Sequence, residues 1–155
     1  MTRTDTATTG IMGTLDSFYC YNVTAALWAD AVINRLEGLA IFLLGDELAE
    51  VADRARAAAR RLADRIGDLG GAITADPRQL LDRSIPVEFA LPDCSDVASI
   101  GEYALKRLNT IIDAYEAFLN RVRGTDDLSF HLVLDLLAAE THQRADLQAA
   151  LAQRS

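Results

Sequence analysis

The chain has 155 residues, half of them hydrophobic and a quarter charged, which describes one ordinary globular domain with enough chain for a sizeable core. Lys and Arg number 15 against 23 Asp and Glu, a formal charge of -8, and a surface that acidic repels phosphate backbones and argues against a nucleic-acid partner. Cys20 and Cys94 are too few for a disulfide scaffold, His131 and His142 too few for a histidine-rich metal site, and the longest apolar run, residues 39–44, falls far short of the about 20 residues a membrane span needs.

Residues 1–13 are polar and Thr-rich and read as a flexible tail ahead of a single domain over residues 14–155. The tail lacks the charged-then-apolar layout of a signal peptide, so a cytoplasmic address is expected. A first helix is predicted over residues 14–33, with Thr14 as N-cap. Its inward stripe is Leu15, Phe18 and Tyr19, Asn22, Ala25 and Ala26, Ala29, then Val32 and Ile33. A second helix follows over residues 39–69, with Ile41, Leu44, Leu48, Val51, Ala55, Ala58, Leu62, Ile66 and Leu69 inward. Its arginines, Arg54 to Arg65, alternate with aspartates and read as a solvated face. Glu47, Glu50 and Asp46 near its start complement the helix dipole. Gly70 and Gly71 supply a left-handed stop.

Residues 72–95 hold all three prolines and read as a long crossover with one short helical turn near residues 78–82. A third helix is predicted over residues 96–123, with Ile100, Ala104, Leu108, Ile111, Tyr115, Phe118 and Val122 inward. A fourth is predicted over residues 128–152, with Val133, Leu136, Leu137, Glu140, Gln143, Arg144 and Leu147 inward. His131 and His142 fall on outer faces, and both cysteines read as unpaired thiols. Two hairpins joined by one long crossover make an all-α, ferritin-like four-helix connectivity.

The segment Leu62-Ala-Asp-Arg-Ile-Gly-Asp-Leu-Gly-Gly71 followed by Asp76-Pro77, together with Ser129-Phe-His-Leu-Val-Leu-Asp-Leu-Leu-Ala-Ala-Glu140, resembles the ferritin-like superfamily, in particular its Dps-like branch. Pro86 and Leu91-Pro92-Asp93 fall where that branch has similar residues, and the resemblance covers most of the chain. It implies a four-helix bundle and a homo-oligomer, from a dimer to a dodecamer. It also implies a di-iron site built from one Glu on each of two helices and a Glu-x-x-His pair on each of the other two. Carried onto this chain, the pattern falls on Asn22, with Glu37 as an alternative, on Ala55 and Ala58, on Leu108, and on Glu140 and Gln143. The cysteine pair of part of the branch would fall on Val87 and Thr110, and the DNA-binding tail would be left with Arg3 alone. One carboxylate and two amides cannot balance two iron cations, so lost ferroxidase chemistry and no metal cofactor are expected.

Replacing Glu and His by Ala55 and Ala58 removes volume from the bundle centre. Leu108, Trp28 and Tyr115 could fill it, or a small organic molecule could. Glu140 in that apolar middle has no basic residue on the predicted inward faces except Arg144 at the edge, so its pKa should rise and suit it to acid or base work. Asn22, Gln143, Tyr19 and Tyr115 would be its hydrogen-bonding neighbours, either in a reactive site or in a satisfied Asn22–Glu140–Gln143 network. Three functions follow in order. The first is a metal-free binder or cofactor-independent isomerase, cyclase or lyase using Glu140. The second is a structural, cage-forming protein with an interface at Leu39, Phe42 and Leu43. The third is a metal protein with a different ligand set, Glu37, Glu47, Glu50, Glu116 and Glu140.

Overall fold

The computed structural model describes residues 3–153, with side chains from residue 7 onward. The elements are α1 (Arg3–Ile33), α2 (Leu39–Asp68), a 3-10 turn (Pro77–Gln79), α3 (Leu80–Arg83), α4 (Val97–Val122) and α5 (Asp127–Ala152). The four long helices form one bundle in which α1 packs along α2, α4 along α5, and α2 against α5.

Helix α1 begins at Arg3, well before the expected residue 14. Thr14 is not its cap: its hydroxyl donates to Gly10 O, one turn back, as Ser17 does to Gly13 O. The added turns have a reason to be helical, because they bury Ile11. The expected tail is therefore helical from Arg3 on, and Met1 and Thr2 lie outside the described residues.

Helix α2 starts after Gly38, whose φ of 59° lies in the left-handed region. Its buried stripe runs from Ala40 through Leu44, Leu48 and Ala52, so Ile41, expected inside, is 50% exposed. Val51 and Leu69, also expected inside, are half-buried. At its other end Gly70, with φ 86°, turns the chain, and Gly71 N–H reaches back to Ile66 O at 3.0 Å.

Helices α4 and α5 are capped by Asp96 and Asp126, whose carboxylates accept from Ala98 N and Ser129 N. Between these helices, a Cβ added at Gly101 would lie 2.5 Å from the Leu151 side chain, which shows how closely they approach.

The crossover is tied down at several points. Asp16 accepts from Thr74 N and Oγ1 at 2.8 and 2.6 Å. Farther on, Arg107 Nη1 donates to Glu88 O at 2.7 Å and Trp28 Nε1 to Ala90 O at 2.8 Å. The core has two apolar lobes. One is aromatic, with Phe18 edge-on to Tyr115 and Phe118 at 4.9 and 5.6 Å between ring centres. The other gathers Trp28, Leu44, Leu48 and Leu147. Asn22, Glu140 and Gln143 are buried polar groups on the inward faces of α1 and α5.

Candidate functional site at the bundle centre

Asn22, Tyr115, Glu140 and Gln143 are all buried, as their helical phase requires. Of the two arrangements expected for them, the satisfied Asn22–Glu140–Gln143 network does not form. Asn22 Nδ2 donates to Phe18 O at 2.8 Å and to the Tyr115 hydroxyl at 3.0 Å. Gln143 Nε2 donates to Glu47 Oε2 at 3.2 Å. The carbonyl oxygens of both amides are buried without a partner. Tyr19 is not brought to this site: it is half-buried on the outer side of α1, in a groove with Asp30 and Arg56.

Glu140 lines a narrow cavity with Asn22, Trp28, Ala55, Arg107 and Leu108. The cavity holds about 20 Å³, room for about one water, so of the two expectations for the volume given up at Ala55 and Ala58 the structure shows filling by neighbours rather than an open ligand cavity. Ala58 does not line it; it packs in the aromatic lobe with Tyr115. Burial pushes the Glu140 carboxyl up to about 7, opposed in part by the charge of Arg54. Burial first, and then the nearby Glu140, raise Tyr115 well above the ordinary tyrosine value. Desolvation also raises Tyr21, with Glu140 adding to it and Arg107 opposing.

Two arginines correct the expectation that only Arg144 approaches the inward faces. Arg54 turns in from α2 and donates to Ala139 O at 2.6 Å, beside Glu140. Arg107 is 5% exposed, and its guanidinium lies over the rings of Trp28 and Tyr21 at 5.2 and 5.6 Å. It makes no ion pair with a carboxylate among the described residues, and desolvation lowers its pKa. The sequence carried a signal for it: Arg107 stands three residues after Ala104 and four before Ile111, on the apolar stripe itself. Arg107 also lines a surface groove of about 490 Å³ with Val87, Glu88, Tyr103 and Lys106. That volume is within the range of small-molecule sites. One buried side chain thus separates an outer groove from the inner cavity holding Glu140.

The ferritin-like domain model matches residues 25–155. The chain belongs to the ferritin-like family. The ferritin-like fold is also that of similar solved structures. The dodecameric thioferritin of Bacteroides fragilis, a bacterioferritin-related protein, is 22% identical, with a TM-score of 0.88 over 94% of this chain and 86% of that one. Dps from Thermosynechococcus elongatus is 20% identical, with a TM-score of 0.85 over 96% and 94%. Dps from Vibrio cholerae O1, described as a member of the ferritin-like diiron-carboxylate superfamily, is 14% identical, with a TM-score of 0.84 over 93% and 90%. No curated protein matches this chain by sequence.

The donor set at the centre of this ferritin-like bundle does not fit a di-iron centre. Ala55, Ala58 and Leu108 offer no ligand atom, Glu140 is the single carboxylate, and Arg54 and Arg107 add positive charge beside it.

Proposed function

We propose that this ferritin-like protein is metal-free at the bundle centre and binds a small organic acid. The ligand's body lies in the groove and its carboxylate is held by Arg107. The observation that carries this reading is Arg107 itself, a buried guanidinium without a carboxylate partner, shared by the groove and the Glu140 cavity. A buried cation is costly unless paired, and a planar guanidinium suits a carboxylate. Lys106 on the groove rim adds attraction for an anion. The inner cavity takes no organic group as it stands, so the ligand reaches Glu140 only when the crossover bonds at Glu88 and Ala90 give way. Glu140, with its pKa near neutrality, is then placed to take or give a proton, as a cofactor-independent isomerase, cyclase or lyase would require.

Trp28 is the chain's one tryptophan and lies against Arg107, so its fluorescence reports the site. Titrating the protein with a panel of small mono- and dicarboxylic acids should find one that quenches Trp28. Arg107→Met should abolish the response while leaving the fold intact, and Glu140→Gln should preserve binding but remove any turnover. A panel without a responder, or quenching unchanged in Arg107→Met, would sink the reading.

A second reading has its own observation. Phe42 is 85% exposed, Leu39 61% and Ile41 50%, an apolar patch at the start of α2. With the dodecameric Bacteroides fragilis relative, this supports a homo-oligomer. Light scattering should give a mass of several chains, and Phe42→Ser should lower it; a monomeric native protein would refute it. No described helix is long and apolar enough to cross a membrane. The acidic charge argues against a nucleic-acid partner, and a cytoplasmic address is part of the proposal.

A further inference from the structure

Two surface grooves meet at Pro86 of the crossover, which lines both. The first is the groove of Arg107. The second, of about 600 Å³, continues along α4: Thr110 lines the first and Ala114, one turn later, the second. Its apolar walls are Ala114, Ala117 and Phe118 of α4, Phe18 of α1 and Ile85 of the crossover. Gly10 and Gly13 of α1 leave it wide, because a Cβ added at either would meet nothing within 4 Å.

The two grooves differ in what they offer a ligand. The first has the cations Arg107 and Lys106. In the second, each hydroxyl has already spent its proton inside the chain. Thr14 donates to Gly10 O and Ser17 to Gly13 O, both at 3.2 Å, and Ser84 donates to Ile85 O at 2.9 Å. Arg121, at the far rim, donates to the Thr14 hydroxyl at 2.6 Å, and its guanidinium lies 5.7 Å from the centre of the Phe118 ring. It is exposed, so unlike Arg107 it needs no anion to offset burial. A polar body would lose its water in this second groove without hydrogen bonds to replace it, whereas an alkyl chain gains from burial there.

We infer that the acid held at Arg107 is an unbranched aliphatic monocarboxylate of about a dozen carbons, whose chain passes Pro86 and lies along α4 as far as Phe118. It rests on the reading of Arg107 as the carboxylate holder. That guanidinium, 5% exposed and with no carboxylate partner among the described residues, fixes one end of the ligand, and the second groove sets the rest. Phe118 stands about three turns of α4 beyond Arg107, which is about 16 Å at 1.5 Å per residue. A zigzag chain of about a dozen carbons, at about 1.5 Å per bond, spans that distance. Arg121 and Thr14 join α4 to α1 at the far rim, which limits the chain.

The test is quenching of Trp28 in the full-length protein by a series of unbranched acids from butanoic to tetradecanoic, each kept below its micelle concentration. Affinity should rise roughly two- to fourfold with each added methylene and level off near dodecanoic acid. Methyl dodecanoate keeps the chain but not the charge, and it should bind roughly tenfold more weakly or worse, which separates a free acid from an esterified chain. Gly13→Leu and Ala117→Leu put side chains into the second groove from exposed helical positions, where leucine is a good helix former. Each should cancel most of the gain from the longer chains. Circular dichroism checks folding, and either variant serves if the other fails it. Affinity that does not grow with chain length, or growth that both variants leave intact, overturns the proposal while the carboxylate reading at Arg107 stands. Equal binding of the ester, or no quenching by any acid, overturns both.

Discussion

Asp126 at the start of α5 and Glu140 in its middle both lie beside arginines of α2, and the structure treats the two carboxylates in opposite ways. At its start, Asp126 caps the helix, accepts from Ser129 N and Oγ, and pairs with Arg65 at 3.0 Å, with both side chains about 85% buried. Burial would raise its pKa, but the hydrogen bonds from Ser129 and Arg65 outweigh burial and hold it below the usual aspartate value. At mid-helix, Glu140 is 8% exposed and has no hydrogen bond or ion pair among the described residues, and Arg54 beside it spends its donor on a backbone carbonyl. Its pKa moves the other way, to about 7. Similar chemistry thus gives a fastener in one place and an unpaired, titratable acid in the other. Only the second is a candidate for function, because a group retained for stability alone would be expected to be satisfied.

Several experiments would break or sharpen that contrast. The largest effect is expected from Asp126→Ala, which removes the cap and strands Arg65 and Ser129. Urea denaturation should show a loss of about 3 kcal/mol, and adding Arg65→Met should recover part of it. The pH dependence follows from the lowered pKa: this stability is present above the ordinary aspartate value and is lost as the pH falls through the folded one.

Glu140→Gln should act in the opposite direction. The folded chain keeps a proton that the unfolded chain releases, so wild-type stability should fall as pH rises from about 4.5 to about 7. Melting curves at pH 8 should find the variant more stable by roughly 2–3 kcal/mol, and curves at pH 4 should find little difference. Equal melting at both pH values would mean that Glu140 is already paired.

Tyr115→Phe deletes the acceptor for Asn22 Nδ2 inside the aromatic lobe and should cost about 1 kcal/mol. The smallest effect belongs to Arg56→Ala. It breaks the exposed pair with Asp30 and should shift stability by less than about 1 kcal/mol, fading with added salt. A larger loss there would show that exposure is a poor guide to the worth of these charges.

The amino-acid pattern by itself determined the bundle. Apolar residues at helical spacing, a glycine pair that can turn left-handed and a proline-rich crossover left few alternatives, since each rests on local geometry. It also placed Asn22, Tyr115, Glu140 and Gln143 inside, because burial follows from position on the helical face. The start of α1 was not legible, because polar threonines gave no sign that Ile11 would be buried. Arg54 was read as part of a solvated face and Arg107 was left off the inward stripe on which it stands, because a long side chain can carry its charge out to water from either kind of position. The partners of the buried groups were equally hidden: Asn22 meets Tyr115 and Gln143 meets Glu47, across separations of 93 and 96 residues. Those pairings, the near-closure of the central cavity, and the meeting of the two grooves at Pro86 belong to the tertiary structure. They depend on how the helices are rotated and shifted against one another, and no spacing within a single helix encodes that.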